Sequence, residues 1–307
     1  FSDGTADYRM PPEPKAGDTV KIRFRTAADN VDLVVLCHED ERIEMHLADR
    51  ERDFDYYEAE IRVGEEQYKY HFEIISGMLR CTYDRAGVSR DFRPQYEFCI
   101  IPGFATPEWA KGAVMYQIFT DRFCNGDTSN DVKTGEYYYI NRQTKQVENW
   151  DKCPEDFDVA NFYGGDLAGV LSKMDYLEEL GVEVIYFNPL FVSASSHKYD
   201  TQDYDYIDPH YGVIIEDGGE VLPEGEKDNT RATKYQKRTG DIRNLKASNR
   251  LFAKLVEEMH TRGMRVILDG VFNHCGSFNK WMDRERIYEP QPEYEKGAYV
   301  SAQSPYR

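Results

Sequence analysis

Between Thr19 and Ile101, apolar and polar residues alternate with a period of two. In TVKIRFR, Val20, Ile22 and Phe24 fall on one side, and Lys21, Arg23 and Arg25 on the other. YKYHFEII repeats the pattern with Tyr68, Tyr70, Phe72 and Ile74. Similar runs at Val31–Leu36, Tyr57–Val63 and Leu79–Tyr83 are separated by acidic or glycine-bearing turns. Successive side chains of a strand point to opposite faces, so alternation marks strands with one buried face. Several such strands without helical periodicity predict an antiparallel β-sandwich. IPGFATPEW (Ile101–Trp109), with two prolines and a glycine, reads as the linker that closes it.

After the linker the rhythm changes. AVMYQIF (Ala113–Phe119) is almost continuously apolar, the pattern of a strand buried on both faces. In DLAGVLSKMDYLEELG, Leu167, Val170, Leu171, Met174, Leu177 and Leu180 share one helical stripe. Asp166 is placed as the N-cap of this helix and Gly181 as its stop. A strand, VEVIYFNPLF, a helix, SNRLFAKLVEEMHTRG, and a third strand, MRVILDGVF, follow in turn. Strands alternating with helices predict a parallel sheet with right-handed crossovers. The polar stretch Glu216–Arg238 reads as a long surface loop.

Polar residues collect after each of the three strands: Asp121 and Arg122, then Asn188, then Asp269, Asn273 and His274. In a (β/α)8 barrel the active site occupies those strand ends. No G-x-G-x-x-G, P-loop or H-E-x-x-H segment points to a nucleotide or zinc fold instead. The fold class is therefore multidomain: an N-terminal antiparallel β-sandwich (1–105) followed by the first part of a (β/α)8 TIM barrel (106–274).

Composition adds exclusions. The 307 residues, 40% hydrophobic and 31% charged, suit a globular protein with room for two domains. No run of about 18 apolar residues predicts a membrane span. The net charge of −18 repels a phosphate backbone or an anionic leaflet, so neither nucleic acid nor membrane is an expected partner. Six cysteines without a C-x-x-C pair read as free buried thiols of a reducing, cytoplasmic compartment. The sequence starts at Phe1 without a signal-peptide pattern, and secretion stays open.

Three groups of residues offer chemistry. NGDTSND brings oxygens from Asn125, Asp127, Asn130 and Asp131 into one loop, which reads either as a series of turns or as a site for a hard cation. His197 and Tyr199 follow the second strand. An aromatic plate beside a neutral imidazole suits the apolar face and hydroxyl rim of a sugar, though tyrosines also simply pack. Asp269 and His274 end the third strand, as site residues or as a cap and a backbone partner.

Four segments, QIFTDRFCNGDTSND, FYGGDL, HKYDTQDYDYIDPHYG and DGVFNH, together resemble glycoside hydrolase family 13, the α-amylase family. They look most like its neopullulanase, cyclomaltodextrinase and maltogenic amylase group, and the resemblance covers nearly the whole chain. It implies a retaining hydrolase of α-1,4-glucosidic bonds in maltooligosaccharides, cyclodextrins or pullulan. Under the resemblance Tyr199 stacks beneath a glucose, with His197 beside it. His274 hydrogen-bonds that sugar, Asp269 holds a catalytic arginine, and Asn273 supports a loop domain begun by residues 275–307. Calcium is implied on Asn125, Asp127, Asn130 and Asp131, with the Gly164 carbonyl and Asp166. Asp166 is then wanted both as ligand and as helix cap. A starch-binding role for the sandwich, and a homodimer formed through it, are implied as well.

Retaining hydrolysis needs two carboxylates about 5–5.5 Å apart. The family takes them from the fourth and fifth barrel strands, the first within G-x-R-x-D, and this sequence has no such segment. No catalytic nucleophile or acid is assigned in this chain; both are expected beyond Arg307. The chain by itself is expected to bind glucan without cleaving it. Three readings stay open: a shortened hydrolase, one half of a split enzyme, or a non-catalytic glucan-binding protein.

Overall fold

The alternating residues of the first hundred positions fold as two antiparallel sheets. The computed structural model describes residues 1–156 and 158–307 and separates into two units, Phe1–Lys111 and Gly112–Arg307. In the first unit one sheet orders Arg9–Met10, Thr19–Ala27, Phe54–Arg62 and His46–Glu51. The other orders Glu41–Glu44, Leu33–His38, Tyr68–Ser76, Leu79–Asp84 and Gly87–Ser89, with Phe98–Ile100 also paired to Tyr68–Ser76. The register sets Phe24 opposite Tyr57 and Leu36 opposite Phe72. Val20, Ile22, Phe24, Leu36, Tyr70 and Phe72 then meet in one core, which is why one-residue slips are disfavoured. The strand expected at Val31 starts at Leu33, where pairing with Tyr68–Ser76 begins, and runs to His38, which pairs with Glu41 of Glu41–Glu44.

The second unit contains the parallel sheet, ordered Met115–Ile118, Val184–Phe187, Arg265–Leu268. The first of these strands is not buried on both faces. Met115 is 48% exposed and Gln117 is exposed, while Tyr116 and Ile118 pack into the helical core. The sequence showed the apolar run but not that only alternate members of it are covered.

The helix expected from Leu167 is two short ones, Leu167–Ser172 and Met174–Glu179, broken at Lys173 (φ −104°, ψ 11°). Leu167, Val170, Met174 and Leu177 still bury together, so the stripe runs through the break. Asp166 does cap the first helix, accepting Gly169 N at 2.6 Å. The last helix, Ile242–Thr261, begins six residues before its apolar stripe suggested, behind an Asp241 cap. Its first turns bury Asn244 and Ser248, and Asn244 Oδ1 accepts Ile215 N and Glu216 N, each at 2.8 Å. A buried face made of amides and hydroxyls looks like a helix end in sequence.

Glu216–Arg238 is not simply a surface loop. It enters a helix, Thr233–Gly240, and buries Tyr235 and Arg238. Tyr235 joins a further core with Val132, Tyr137, Phe278, Ile287 and Tyr288. Phe278, Ile287 and Tyr288, from the residues 275–307 expected to open a loop domain, are part of this core. The six thiols are free, but of them only Cys37 is buried, and Cys153 and Cys275 are exposed.

Candidate functional site

Parallel pairing aligns the ends of the three strands, with Ile118 beside Phe187 and Phe187 beside Leu268. The ladder continues one step further. Asn188 N donates to Ile118 O at 3.0 Å, and Asp269 N to Phe187 O at 3.1 Å. The two polar residues therefore stand on one rim, and Gln117 Nε2 donates to Asn188 Oδ1 at 2.7 Å.

A turn joins Phe191–Ser193 to Thr201–Ile207 and carries His197 and Tyr199, both half-buried. Tyr199 reaches the rim of the third strand, its phenol donating to Asp269 Oδ2 at 2.7 Å. Burial, then the contact with Asp269, pushes this phenol up to about 12. His197 Nδ1 lies 3.1 Å from Tyr199 N and accepts from it, which leaves Nε2–H as the ring donor. Burial lowers the pKa of His197, favouring that neutral form. An aromatic ring, a neutral imidazole donor and a carboxylate thus converge, a set suited to a sugar ring.

His274 stands apart. It is exposed, its Nδ1 faces Asn273 Oδ1 at 3.1 Å, and its carbonyl accepts the Tyr204 phenol at 2.7 Å. The sequence reading missed Tyr186, whose phenol pKa is raised by its interaction with Asp269. Strand alternation could have revealed it, since Tyr186 and Asn188 are two apart. Asp121 and Arg122 serve the neighbouring loop. Asp121, fully buried, accepts Arg122 Nε at 2.7 Å and Tyr163 N at 3.1 Å. Arg122 lies 4.1 Å over the Tyr163 ring and donates to Asp158.

The oxygen-rich loop closes on the GGD turn. Asn125 Nδ2 donates to Asp131 Oδ1 at 2.8 Å, and Gln146 Nε2 to Asp131 Oδ2 at 2.8 Å. Asn130 Nδ2 donates to Asp166 Oδ2 and to Gly212 O, each at 3.1 Å. The amide oxygens of Asn125 and Asn130 are buried with no hydrogen-bond partner among the described residues. Burial raises the pKa of Asp131, and the charge of Asp166 adds to the rise. Gly164, at φ 82°, lies so close that a Cβ there would come within 2.4 Å of Asp131 Oδ1. Asp166 is otherwise engaged: its carboxylate accepts Gly169 N, Gly126 N, Asp127 N and Asn130 Nδ2. Asp127 Oδ1 closes a local turn on Ser129. Asn125, Asn130 and Asp131, with the second carboxylate oxygen of Asp127, can still offer oxygens to a hard cation.

Residues 117–222 and 241–305 match the family described as Alpha amylase, catalytic domain. The chain belongs to the alpha-amylase family. Residues 14–101 match the Alpha amylase, N-terminal ig-like domain, in agreement with the sandwich. A cyclomaltodextrinase of Thermoanaerobacter pseudethanolicus is 32% identical over 92% of this chain and 46% of its own length. Neopullulanase 2 of Thermoactinomyces vulgaris is 37% identical over 73% of this chain and 31% of its own. The intracellular maltogenic amylase of Bacillus subtilis is 40% identical over 59% and 22%. The chain spans less than half the length of these alpha-amylase relatives. Among the described residues, no helix is long and apolar enough to cross a membrane.

Proposed function

We propose that this chain forms the glucan-binding side of a retaining hydrolase acting on α-1,4-glucosidic bonds of maltooligosaccharides, cyclodextrins or pullulan. The observation that carries the reading is the Tyr199–Asp269 hydrogen bond on the strand rim, with neutral His197 beside it. Tyr199 offers its ring to the apolar face of a glucose, and His197 Nε2–H reaches a hydroxyl. Asp269, exposed enough to accept a second bond, holds a cationic partner or a further hydroxyl. His274, at the open end of the third strand, is free to turn toward the same sugar. No residue of this chain is assigned as nucleophile or acid. Titration with maltotriose tests the reading: uptake that falls roughly tenfold in Tyr199→Ala supports it. Uptake unchanged by Tyr199→Ala and His197→Ala overturns it. Reducing-sugar release from maltotriose by the purified chain would overturn the absence of catalytic carboxylates.

Calcium belongs to the same reading. Two buried amide oxygens without donors beside a carboxylate form a donor set that suits this cation. Asn125, Asp127, Asn130 and Asp131 would hold it, with the Gly164 turn packed against them. When bound, calcium would supply charge neutralisation for Asp131 and tie the loop to that turn. A metal-stripped, folded sample that takes up no calcium in isothermal titration refutes the assignment.

The sandwich is read as a starch-binding-type module. It carries a cleft of about 1130 Å³ whose lining includes His38, Lys69, His71 and Phe92, rings and polar groups that suit a sugar. Binding of soluble starch that survives Tyr199→Ala but not Phe92→Ala checks this. A homodimer through the sandwich, checked by light scattering of the folded protein, and a cytoplasmic site, consistent with free thiols, complete the reading.

A further inference from the structure

A lysine stands between the two candidate sugar residues, and it is 1% exposed. Lys198 also has φ 60°, a left-handed conformation that a residue with a side chain enters rarely. Its Nζ donates to Ser193 O at 2.9 Å and to Asp208 Oδ2 at 2.6 Å, and lies 4.9 Å over the Tyr211 ring. The charges then continue inward. Asp208 Oδ1 meets His210 Nδ1 at 2.9 Å, His210 Nε2 meets Glu136 Oε1 at 2.8 Å, and Arg238 Nη1 donates to Glu136 Oε2 at 3.0 Å.

All five of these residues are buried. A neutral imidazole has one N–H, so a carboxylate on each nitrogen selects the cation, the only form that makes both bonds. Burial opposes that charge, but Glu136 and Asp208 outweigh it and the pKa of His210 is raised. Positive and negative groups therefore alternate from Lys198 to Arg238, and each inner member is held from both sides.

The sequence HKYD acquires a new meaning from this chain of charges. A turn whose middle residue is drawn fully inward has its two neighbours, His197 and Tyr199, left half-exposed on the rim. The left-handed turn at Lys198 is held by these two bonds of the ammonium together with two bonds of its backbone, Lys198 N donating to Ser195 Oγ at 3.0 Å and Ser193 Oγ to Lys198 O at 3.2 Å. We propose that Lys198 is a positioning residue: anchored by Asp208 and the Ser193 carbonyl, it fixes the turn that presents His197 and Tyr199 to a glucan. The presentation to glucan rests on the function proposed above; the anchoring of the turn does not.

The test uses the full chain with Lys198→Met, which keeps the stem and removes the charge. Two signals are read: the ¹³Cζ resonance of Tyr199 without ligand, assigned against Tyr199→Phe, and maltotriose affinity by calorimetry. The resonance is expected to move as the bond to Asp269 is lost, and affinity to fall roughly tenfold. If Lys198→Met does not fold, Lys198→Met/Asp208→Asn, which leaves no unpaired carboxylate, is read in the same way. An unmoved resonance in a folded variant overturns the proposal, as does a moved resonance with unaltered affinity. Failure of both variants to fold also overturns it, making Lys198 a residue of stability alone. If the unaltered chain takes up no maltotriose, the glucan reading falls, while the Tyr199 resonance still decides whether Lys198 sets the turn.

Discussion

The phenol of Tyr199 donates to Asp269 Oδ2 at 2.7 Å, joining residues seventy positions apart in sequence. The bond ties the turn after the second parallel strand to the end of the third. Tyr199→Phe keeps the ring and removes the bond, so stability is expected to fall by about 1 kcal/mol in urea unfolding. Tyr199→Ala also removes the stacking face and should weaken maltotriose binding far more than Tyr199→Phe does. The phenol pKa is raised to about 12, so the stability tied to the proton is complete below the ordinary phenol range. It is lost as pH rises through about 12.

Gly164 and Gly181 separate backbone strain from crowding. Both have positive φ, 82° and 78°, but a Cβ on Gly164 meets Asp131 Oδ1 at 2.4 Å, whereas none lies within 4 Å of one on Gly181. Gly181→Ala is expected to cost only the left-handed penalty, about 1 kcal/mol. Gly164→Ala should cost more and should abolish any rise in melting temperature produced by calcium. Thermal scans with and without calcium check both.

The sandwich was legible because alternation and pairing agree there, as at Phe24 and Phe72. The parallel strands were legible as apolar runs, and the rim residues as the polar positions that end them. What stayed hidden was polar burial. Asn244 lies inside a helix whose start the apolar stripe misplaced, and Arg238 is wholly buried in a stretch that read as surface. Both are compensated by partners distant in sequence, Asn244 by loop amides and Arg238 by Glu136. The oxygen loop was visible as a loop, but its division of labour was not. Asp166 is spent on four N–H groups, and only the fold shows that Asn125 and Asn130 keep oxygens without donors.

Arg238 offers a direct measure of that hidden layer. Its guanidinium donates to Glu136 Oε2 at 3.0 Å, to the Asp131 carbonyl at 2.8 Å and to Asp217 Oδ2 at 2.9 Å. Arg238→Met leaves Glu136 with His210 as its remaining charged partner, and breaking a buried pair in this way costs about 3–5 kcal/mol. Arg238→Met/Glu136→Gln removes the orphaned charge and should recover part of the loss. Urea midpoints of the two variants that coincide would contradict this account of the network.

Glu73, on the first unit's second sheet, sets an acid limit for the sandwich. Arg42 and Arg80 both donate to its carboxylate. The hydrogen bond from Arg42 first, and then Arg80 against the opposing effect of burial, lowers its pKa from 4.5 to about 2. A carboxylate with a depressed folded pKa stabilises the fold above its unfolded value and gives that contribution up as it is protonated. The loss therefore falls between the ordinary carboxylate range and about pH 2, and the contribution is complete near neutrality. The arginines are partly solvated, with side chains 45% and 59% exposed, so screening by salt should shrink the effect. Glu73→Gln is expected to flatten the acid limb of sandwich stability while leaving the Tyr199 resonance of the second unit unmoved. Unfolding followed by tyrosine-resolved NMR from neutral pH downward checks this, and an acid limb as steep in Glu73→Gln as in the unaltered chain refutes it.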